Sequence, residues 1–209
     1  MNNLSPLISF WIILLAFGLY GVVHSILASL KLKAWVEGVF GAAWVGRWYR
    51  LIFNVLGVVT LVPIFWLMAV LPNQALYEIP ATWRWLAILG QLFGLLVLLA
   101  SVGQTGALDF LGLGQLSSAE GAEAPEFTDK GLYRWVRHPL YSGAMLFIWL
   151  SPRMSVNLAA FYAAISFYFW IGAYFEERKL ARLYGQKYVD YQARLPMFVP
   201  GIGPRTKQL

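Results

Sequence analysis

The chain has 209 residues, 59% of them hydrophobic and 12% charged, against about 25% charged for a soluble domain; little of it lies outside a bilayer. With no cysteine it has no disulfide framework, thiolate nucleophile, iron–sulfur cluster or Cys-held zinc, and neither His24 nor His138, its two histidines, has a carboxylate at ligand spacing to complete a metal centre. The net charge of +6 points to anionic lipid headgroups rather than nucleic acid, because the basic residues sit beside apolar stretches.

A spanning helix needs about 20 apolar residues. Pro6 to Leu30 supplies the first, opened by a Ser-Pro start signal. It has no basic n-region and no small-residue cleavage site, so it reads as a retained span rather than a signal peptide. Leu51 to Leu71 supplies the second, with Pro63 inside it, and Trp83 to Val102 the third. Leu140 to Leu150 is apolar but too short to cross alone. Ser151-Pro152-Arg153 breaks it, and Ser155 to Phe175 is long enough to return. These two read as a tight hairpin whose first helix extends backwards through Arg137-His138-Pro139. The expected fold is an all-α polytopic membrane protein with five spans, forming one integral domain over residues 1–209.

Fourteen of the sixteen Lys and Arg residues fall on one side of that arrangement; only Arg84 and Arg153 fall on the other. By the positive-inside rule the N-terminus faces out and the C-terminus faces the cytoplasm. A polar loop runs from Ser117 to Asp129. Beyond the fifth span, Leu180, Leu183, Tyr184, Lys187, Tyr188 and Tyr191 recur every three or four residues. That spacing predicts an amphipathic C-terminal helix with an aromatic face, suited to the interface.

Two polar strings interrupt the apolar chain, Gly131 to Gly143 and Phe175 to Leu180. Ionisable groups at span edges pair with one another or hold something polar. Arg137 offers a planar fork for a carboxylate, and His138 can donate to the same anion. Glu176 and Glu177 accept from an ammonium or from sugar hydroxyls, with Glu176 slightly favoured to face the site. Tyr133, Trp135 and Tyr141 supply aromatic faces for a heterocycle or a cation. Gly143, two residues after Tyr141, admits a ligand or a neighbouring helix. The set fits a zwitterion bearing an aromatic base and a further positive centre, and S-adenosylmethionine has those parts. Read more plainly, Arg137 and His138 are an interfacial pair reaching headgroups ahead of a Pro-started helix, Glu176 and Glu177 belong to a solvated charge run, and Tyr184, Tyr188 and Tyr191 form an aromatic belt. His24 reads either as a helix-to-helix or headgroup contact or as a proton acceptor, and Asp109 as a cap for the following turn or a site residue.

Arg137-His138-Pro139-Leu140-Tyr141, then Glu176-Glu177-Arg178-Lys179-Leu180, then Tyr184-Gly185-Gln186-Lys187-Tyr188-Val189-Asp190-Tyr191 together resemble the signature of the membrane methyltransferase superfamily. That group includes isoprenylcysteine carboxyl methyltransferase and the phospholipid N-methyltransferases. The match covers Gly131 to Pro200, about a third of the chain. Phe147 to Ser155, His24-Ser25 with Lys31-Leu32-Lys33, and Asp109 to Leu113 are similar to the bacterial methanethiol S-methyltransferase branch. The resemblance implies an S-adenosylmethionine-dependent methyltransferase with a cofactor-binding half over 104–204. Cofactor contacts are implied at Tyr133, Arg137, His138, Pro139, Tyr141, Gly143, Glu176 and Glu177. His24 and Asp109 would be the catalytic pair, no metal would take part, and the acceptor would be a small lipophilic thiol met at the membrane lipid. A prenylated cysteine carboxylate, a phospholipid amine, a membrane reductase or a non-enzymatic scaffold are the alternatives, and the oligomeric state is left open.

Overall fold

The computed structural model describes residues 4–117 and 127–202; residues 118–126 of the expected polar loop lie outside them. Four helices are long and apolar enough to cross a membrane: α1 (Pro6–Leu27), α3 (Ala42–Val70), α4 (Ala81–Gln104) and α8 (Val156–Tyr184). Between and around them lie α2 (Leu30–Phe40), α5 (Ala107–Leu111), α6 (Gly114–Ser117), α7 (Pro139–Trp149) and α9 (Gln186–Arg194), with β1 (Ala75–Glu78) paired to β2 (Arg153–Ser155). Large apolar side chains such as Leu15, Trp35, Val58, Phe93 and Phe167 are exposed, as suits a surface bathed in lipid. The chain is an integral membrane protein built mainly of helices. It divides into two compact units.

The first unit comprises Met1–Tyr77, Thr105–Ala124 and Met154–Ile165. Helix α1 starts where Pro6 occupies the first turn and the Ser5 hydroxyl accepts from the Ile8 amide at 3.3 Å. Its buried residues, Ser9, Ile13, Phe17 and Gly21, recur at four-residue spacing and make the stripe that packs inward. Phe17 and Phe65 both meet Phe161, at 5.5 and 5.4 Å between ring centres, so α1, α3 and the start of α8 share one aromatic core. At the far end of this unit, Asn157 donates to the Met68 and Leu71 carbonyls at 3.1 and 3.3 Å. It thereby satisfies carbonyls that the C-terminus of α3 leaves open. Asn157→Leu is expected to lower the melting temperature in detergent by several degrees, since two carbonyls, one part-buried and one buried, lose their donor; an unchanged melt would contradict this role.

Sequence expectations shift at three places here. The first span ends at Leu27, not Leu30, because the Ser29 hydroxyl caps a new helix by accepting from the Leu32 amide at 3.2 Å. That helix, α2, was not anticipated. Helix α3 begins nine residues before the apolar stretch, at Ala42, and carries Arg47 and Arg50 within it.

The second unit comprises Glu78–Gln104, Pro125–Arg153 and Ser166–Leu209. Helices α4 and α7 run antiparallel in backbone contact. A Cβ added at Gly143 would stand 2.6 Å from the Leu98 nitrogen and 2.7 Å from the Gly94 carbonyl oxygen, and one at Gly94 would stand 2.7 Å from the Phe147 nitrogen. Only hydrogen fits at either position, the small-residue contact by which membrane helices associate. Gly143→Ala is therefore expected to force the two helices apart and lower stability by about 1–3 kcal/mol, read as an earlier thermal transition in detergent. The Leu132 amide donates to the Gln104 side chain at 3.2 Å, and the Ile79 amide to the Pro152 carbonyl at 2.9 Å. The chain from Leu132 to Pro152 thus follows α4 from its last residue to its start.

Two further expectations are corrected in this unit. Helix α7 begins at Pro139 and does not extend backwards: proline disfavours helical backbone at the residue before it, and His138 sits at φ −126°, ψ 66°. Helix α8 continues through Glu176-Glu177 to Tyr184, where Gly185 turns the chain at φ 60°. The expected single amphipathic helix is therefore two pieces, the end of α8 and a separate α9.

Candidate functional site

In the second unit the two polar strings meet. Arg137 and His138 lie just ahead of α7, and Glu176 and Glu177 on the last third of α8. The Arg137 Nε donates to Glu177 Oε1 at 2.6 Å, and Nη1 donates to the Gln192 and Leu195 carbonyls at 2.7 and 2.5 Å. His138 Nε2 reaches the same Glu177 oxygen at 3.1 Å. The side chains of Arg137, His138 and Glu177 are 8%, 6% and 5% exposed, so this is a buried charge cluster in which each member satisfies another. Because an ionised carboxylate only accepts, the hydrogen in the His138–Glu177 bond sits on Nε2.

Glu176 faces a different direction. Its side chain is 47% exposed, its Oε2 accepts from the Tyr141 hydroxyl at 3.3 Å, and the same oxygen lies 3.6 Å from His138 Nδ1. Both glutamates therefore converge on His138, one on each ring nitrogen, whereas sequence reasoning expected one to turn away. A neutral imidazole that gives Nε2–H to Glu177 presents a lone pair at Nδ1. Nδ1 and Glu176 then form a pair of acceptors open to a cationic donor.

Residues 192–198 cross this cluster as a strap. The Arg137 and His138 amides donate to the Pro196 and Met197 carbonyls, both at 3.0 Å, and the Ser142 hydroxyl donates to the Phe198 carbonyl at 2.6 Å. Tyr141 stacks on Phe169 at 4.8 Å and lies parallel to His138 at 5.5 Å, with Phe198 edge-on at 6.4 Å. Its ring is thus engaged by protein, and its hydroxyl is what it offers a ligand. Pro139 is buried at the start of α7. Of the two partners foreseen for Gly143, the structure shows the neighbouring helix.

Tyr133 lies in the 3₁₀ turn Gly131–Arg134. Its hydroxyl is pushed up to about 12 by burial and by the nearby charge of Glu176, so it remains a proton donor at any physiological pH. Its carbonyl accepts from the Tyr191 hydroxyl at 2.6 Å. Tyr188 and Tyr191 are 2% exposed and pack against Phe127, with centroids at 6.0 and 5.3 Å. Burial raises both hydroxyls above the ordinary tyrosine range. For these two the expected interfacial belt is wrong: they are the packing that holds α9 to the turn.

Sequence reasoning missed Gln192, Ser142, Phe169 and Phe198. Gln192 carried a signal, since it stands four residues after Tyr188 on the inward face of α9. It donates to Glu177 Oε2 at 2.6 Å. Phe169 and Phe198 lay in stretches where apolar residues are the rule.

His24 and Asp109 belong to the first unit. The His24 ring packs on Tyr20 at 5.4 Å and on Phe53 at 4.5 Å, and a Cβ added at Gly57 would stand 3.1 Å from its Cε1. This is the helix-to-helix contact, α1 on α3. Asp109 is exposed on α5; a Cβ at Gly106 would stand 3.2 Å from its Oδ2. Asn54, between Phe53 and Gly57, donates to the Phe110 carbonyl at 3.0 Å, so one stretch of α3 supports both His24 and the turn bearing Asp109.

A protein-family model described as NnrU protein matches residues 12–149. Among curated proteins the chain is similar to methanethiol S-methyltransferase of Crocosphaera subtropica, 29% identical over 200 residues covering 90% of this chain and 74% of that protein. It is 30% identical over 197 residues to methanethiol S-methyltransferase 2 of Bradyrhizobium diazoefficiens, covering 93% and 74%. It is also 30% identical over 190 residues to methanethiol S-methyltransferase of Pseudomonas deceptionensis, covering 88% and 70%. No solved structure matches the chain.

Proposed function

We propose, since this chain belongs to the NnrU family and is a membrane methyltransferase of the methanethiol S-methyltransferase branch, that it moves a methyl group from S-adenosylmethionine to a small apolar thiol such as methanethiol. The observation that carries the donor assignment is the convergence of Glu176, His138 Nδ1 and the Tyr141 hydroxyl beside a buried Arg137–Glu177 pair.

The donor set fits that cofactor. Glu176 and His138 Nδ1 accept from its ammonium. Arg137 Nη2, engaged by none of the bonds above, would hold its carboxylate, with Glu177 fixing the guanidinium in place. Tyr133 and the 60% exposed Trp135 are the aromatic surfaces left for its base. Pro139 and Gly143 set where α7 begins and how closely it lies on α4. The cofactor supplies a methyl carbon already activated by its sulfonium. The protein's part is to align the acceptor, exclude water and accept the thiol proton as the acceptor sulfur bonds to the methyl carbon and the carbon–sulfonium bond breaks, the donor leaving as a neutral thioether. We assign that proton to His24, with Asp109 the second candidate.

The same reading makes the segment holding α7 a fifth crossing, paired with α8 as a hairpin. Eleven helical residues reach only about 17 Å, but the 3₁₀ turn and loop ahead of α7 and the residues up to Pro152 after it carry the chain along the whole of α4. Five crossings put the N-terminus outside and the C-terminus with the basic residues in the cytoplasm.

Calorimetry of purified protein with S-adenosylmethionine tests the donor: heat is expected from the wild type and none from Arg137→Ala. Labelled cofactor with a panel of thiols, phospholipids and prenylcysteine tests the acceptor. Label is expected in the thioether; label in phospholipid or prenylcysteine ester instead would overturn the thiol assignment. His24→Gln is expected to lower kcat at least tenfold while leaving cofactor binding unchanged.

A further inference from the structure

We infer that Gln192 is a positioning residue that sets the tautomer of His138 through Glu177, and so makes Nδ1 an acceptor for the cofactor's ammonium. Glu177 Oε1 serves both Arg137 Nε at 2.6 Å and His138 Nε2 at 3.1 Å, while Oε2 is held by Gln192 Nε2 at 2.6 Å. A carboxylate gripped at one oxygen is free to tilt about that contact; gripped at both, it has one orientation. Gln192 thus fixes the plane of Glu177. That plane keeps Oε1 in line with His138 Nε2, and in the neutral ring a hydrogen committed to Nε2 leaves Nδ1 bare toward Glu176. Gln192 touches no ligand itself. The charged and titratable groups around Glu177 are Arg137, His138, Glu176, Tyr188 and Tyr191, and among these only Arg137 and His138 donate to it. The cofactor half of this inference rests on the donor proposed above, whereas the tautomer half does not.

The chain has only two histidines, so protein labelled with ¹⁵N-histidine gives two imidazole signal sets, assigned by His24→Gln. The wild type is expected to show His138 as the Nε2–H tautomer. Gln192→Met, of similar length but with no donor, is expected to show a mixed tautomer and about tenfold weaker S-adenosylmethionine binding by calorimetry. Gln192→Glu separates orientation from mere folding. At the acid end of the range over which the protein stays folded, a proton shared between the introduced carboxyl and Glu177 restores the bond to Oε2. Near pH 8 the two ionised carboxylates repel. Its His138 signals are expected to match the wild type at the lower pH and the Met variant at the higher. Identical His138 signals in all three proteins at both pH values would overturn the inference. A Gln192-dependent tautomer in a protein that binds no S-adenosylmethionine would confirm the positioning role and overturn the donor instead.

Discussion

Replacing Arg137 with alanine is expected to cost about 3–5 kcal/mol of stability, the loss seen when one partner of a buried ion pair is removed. Glu177, 5% exposed, would keep a negative charge beside the apolar body of the protein with only His138 and Gln192 to satisfy it. The Gln192 and Leu195 carbonyls would also lose their donor, loosening the strap over the site. Arg137→Lys is expected to rescue little, because an ammonium presents no fork to serve a carboxylate and two carbonyls at once. Glu177→Leu leaves the opposite charge stranded and is expected to cost a similar amount. The double variant Arg137→Met with Glu177→Leu removes both charges together, and its cost should fall well below the sum of the single losses. Denaturation in detergent, arranged as a double-mutant cycle, measures the difference. Two single losses under about 1 kcal/mol that simply add would mean that the pair is not coupled in the folded protein.

How much of this was legible beforehand follows from what each residue answers to. The long apolar stretches answer to bilayer thickness alone, so α1, α3, α4 and α8 were readable from composition, and only their ends moved. The ends are set by single side chains: Ser29 starts α2 with one hydroxyl, Pro139 fixes where α7 begins, and Gly185 breaks what the three-and-four spacing of Leu180 to Tyr191 presented as continuous. Spacing reports which residues share a face; it is silent about a positive φ within the run. Arg137, His138, Glu176 and Glu177 announced themselves because ionisable groups are rare in such a chain, and the structure brings all four together. Their pairing was not readable. Glu176 and Glu177 are neighbours about 100° apart on one helix, and which of them turns inward depends on the strap, whose part from Leu195 to Phe198 has no charge of its own. The burial of Tyr188 and Tyr191 was hidden for a related reason, since an aromatic helix face packs on lipid or on Phe127 with the same pattern.

That neighbouring pair of glutamates also separates folding from binding. Glu176→Gln is expected to leave stability within about 0.5 kcal/mol of the wild type, because its side chain is 47% exposed and joins no buried pair. The same substitution is expected to weaken S-adenosylmethionine binding by about tenfold to a hundredfold. The carboxylate that would face the ammonium becomes a neutral amide, and a hydrogen bond to a charged group is worth about 1.5–3 kcal/mol, or about one to two factors of ten in affinity. Tyr141→Phe should fall between these extremes. The ring still stacks on Phe169, but the hydroxyl that donates to Glu176 Oε2 at 3.3 Å is gone, so binding weakens severalfold with little change in melting temperature. Glu177→Gln tests the opposite arrangement, since losing the buried charge leaves Arg137 uncompensated and lowers stability before any ligand is added. Calorimetry and thermal melts on the three variants place each side chain on one of the two scales. Equal cofactor affinity in Glu176→Gln and the wild type would move the ammonium away from Glu176 and His138 Nδ1, and leave that carboxylate as no more than the partner of the Tyr141 hydroxyl.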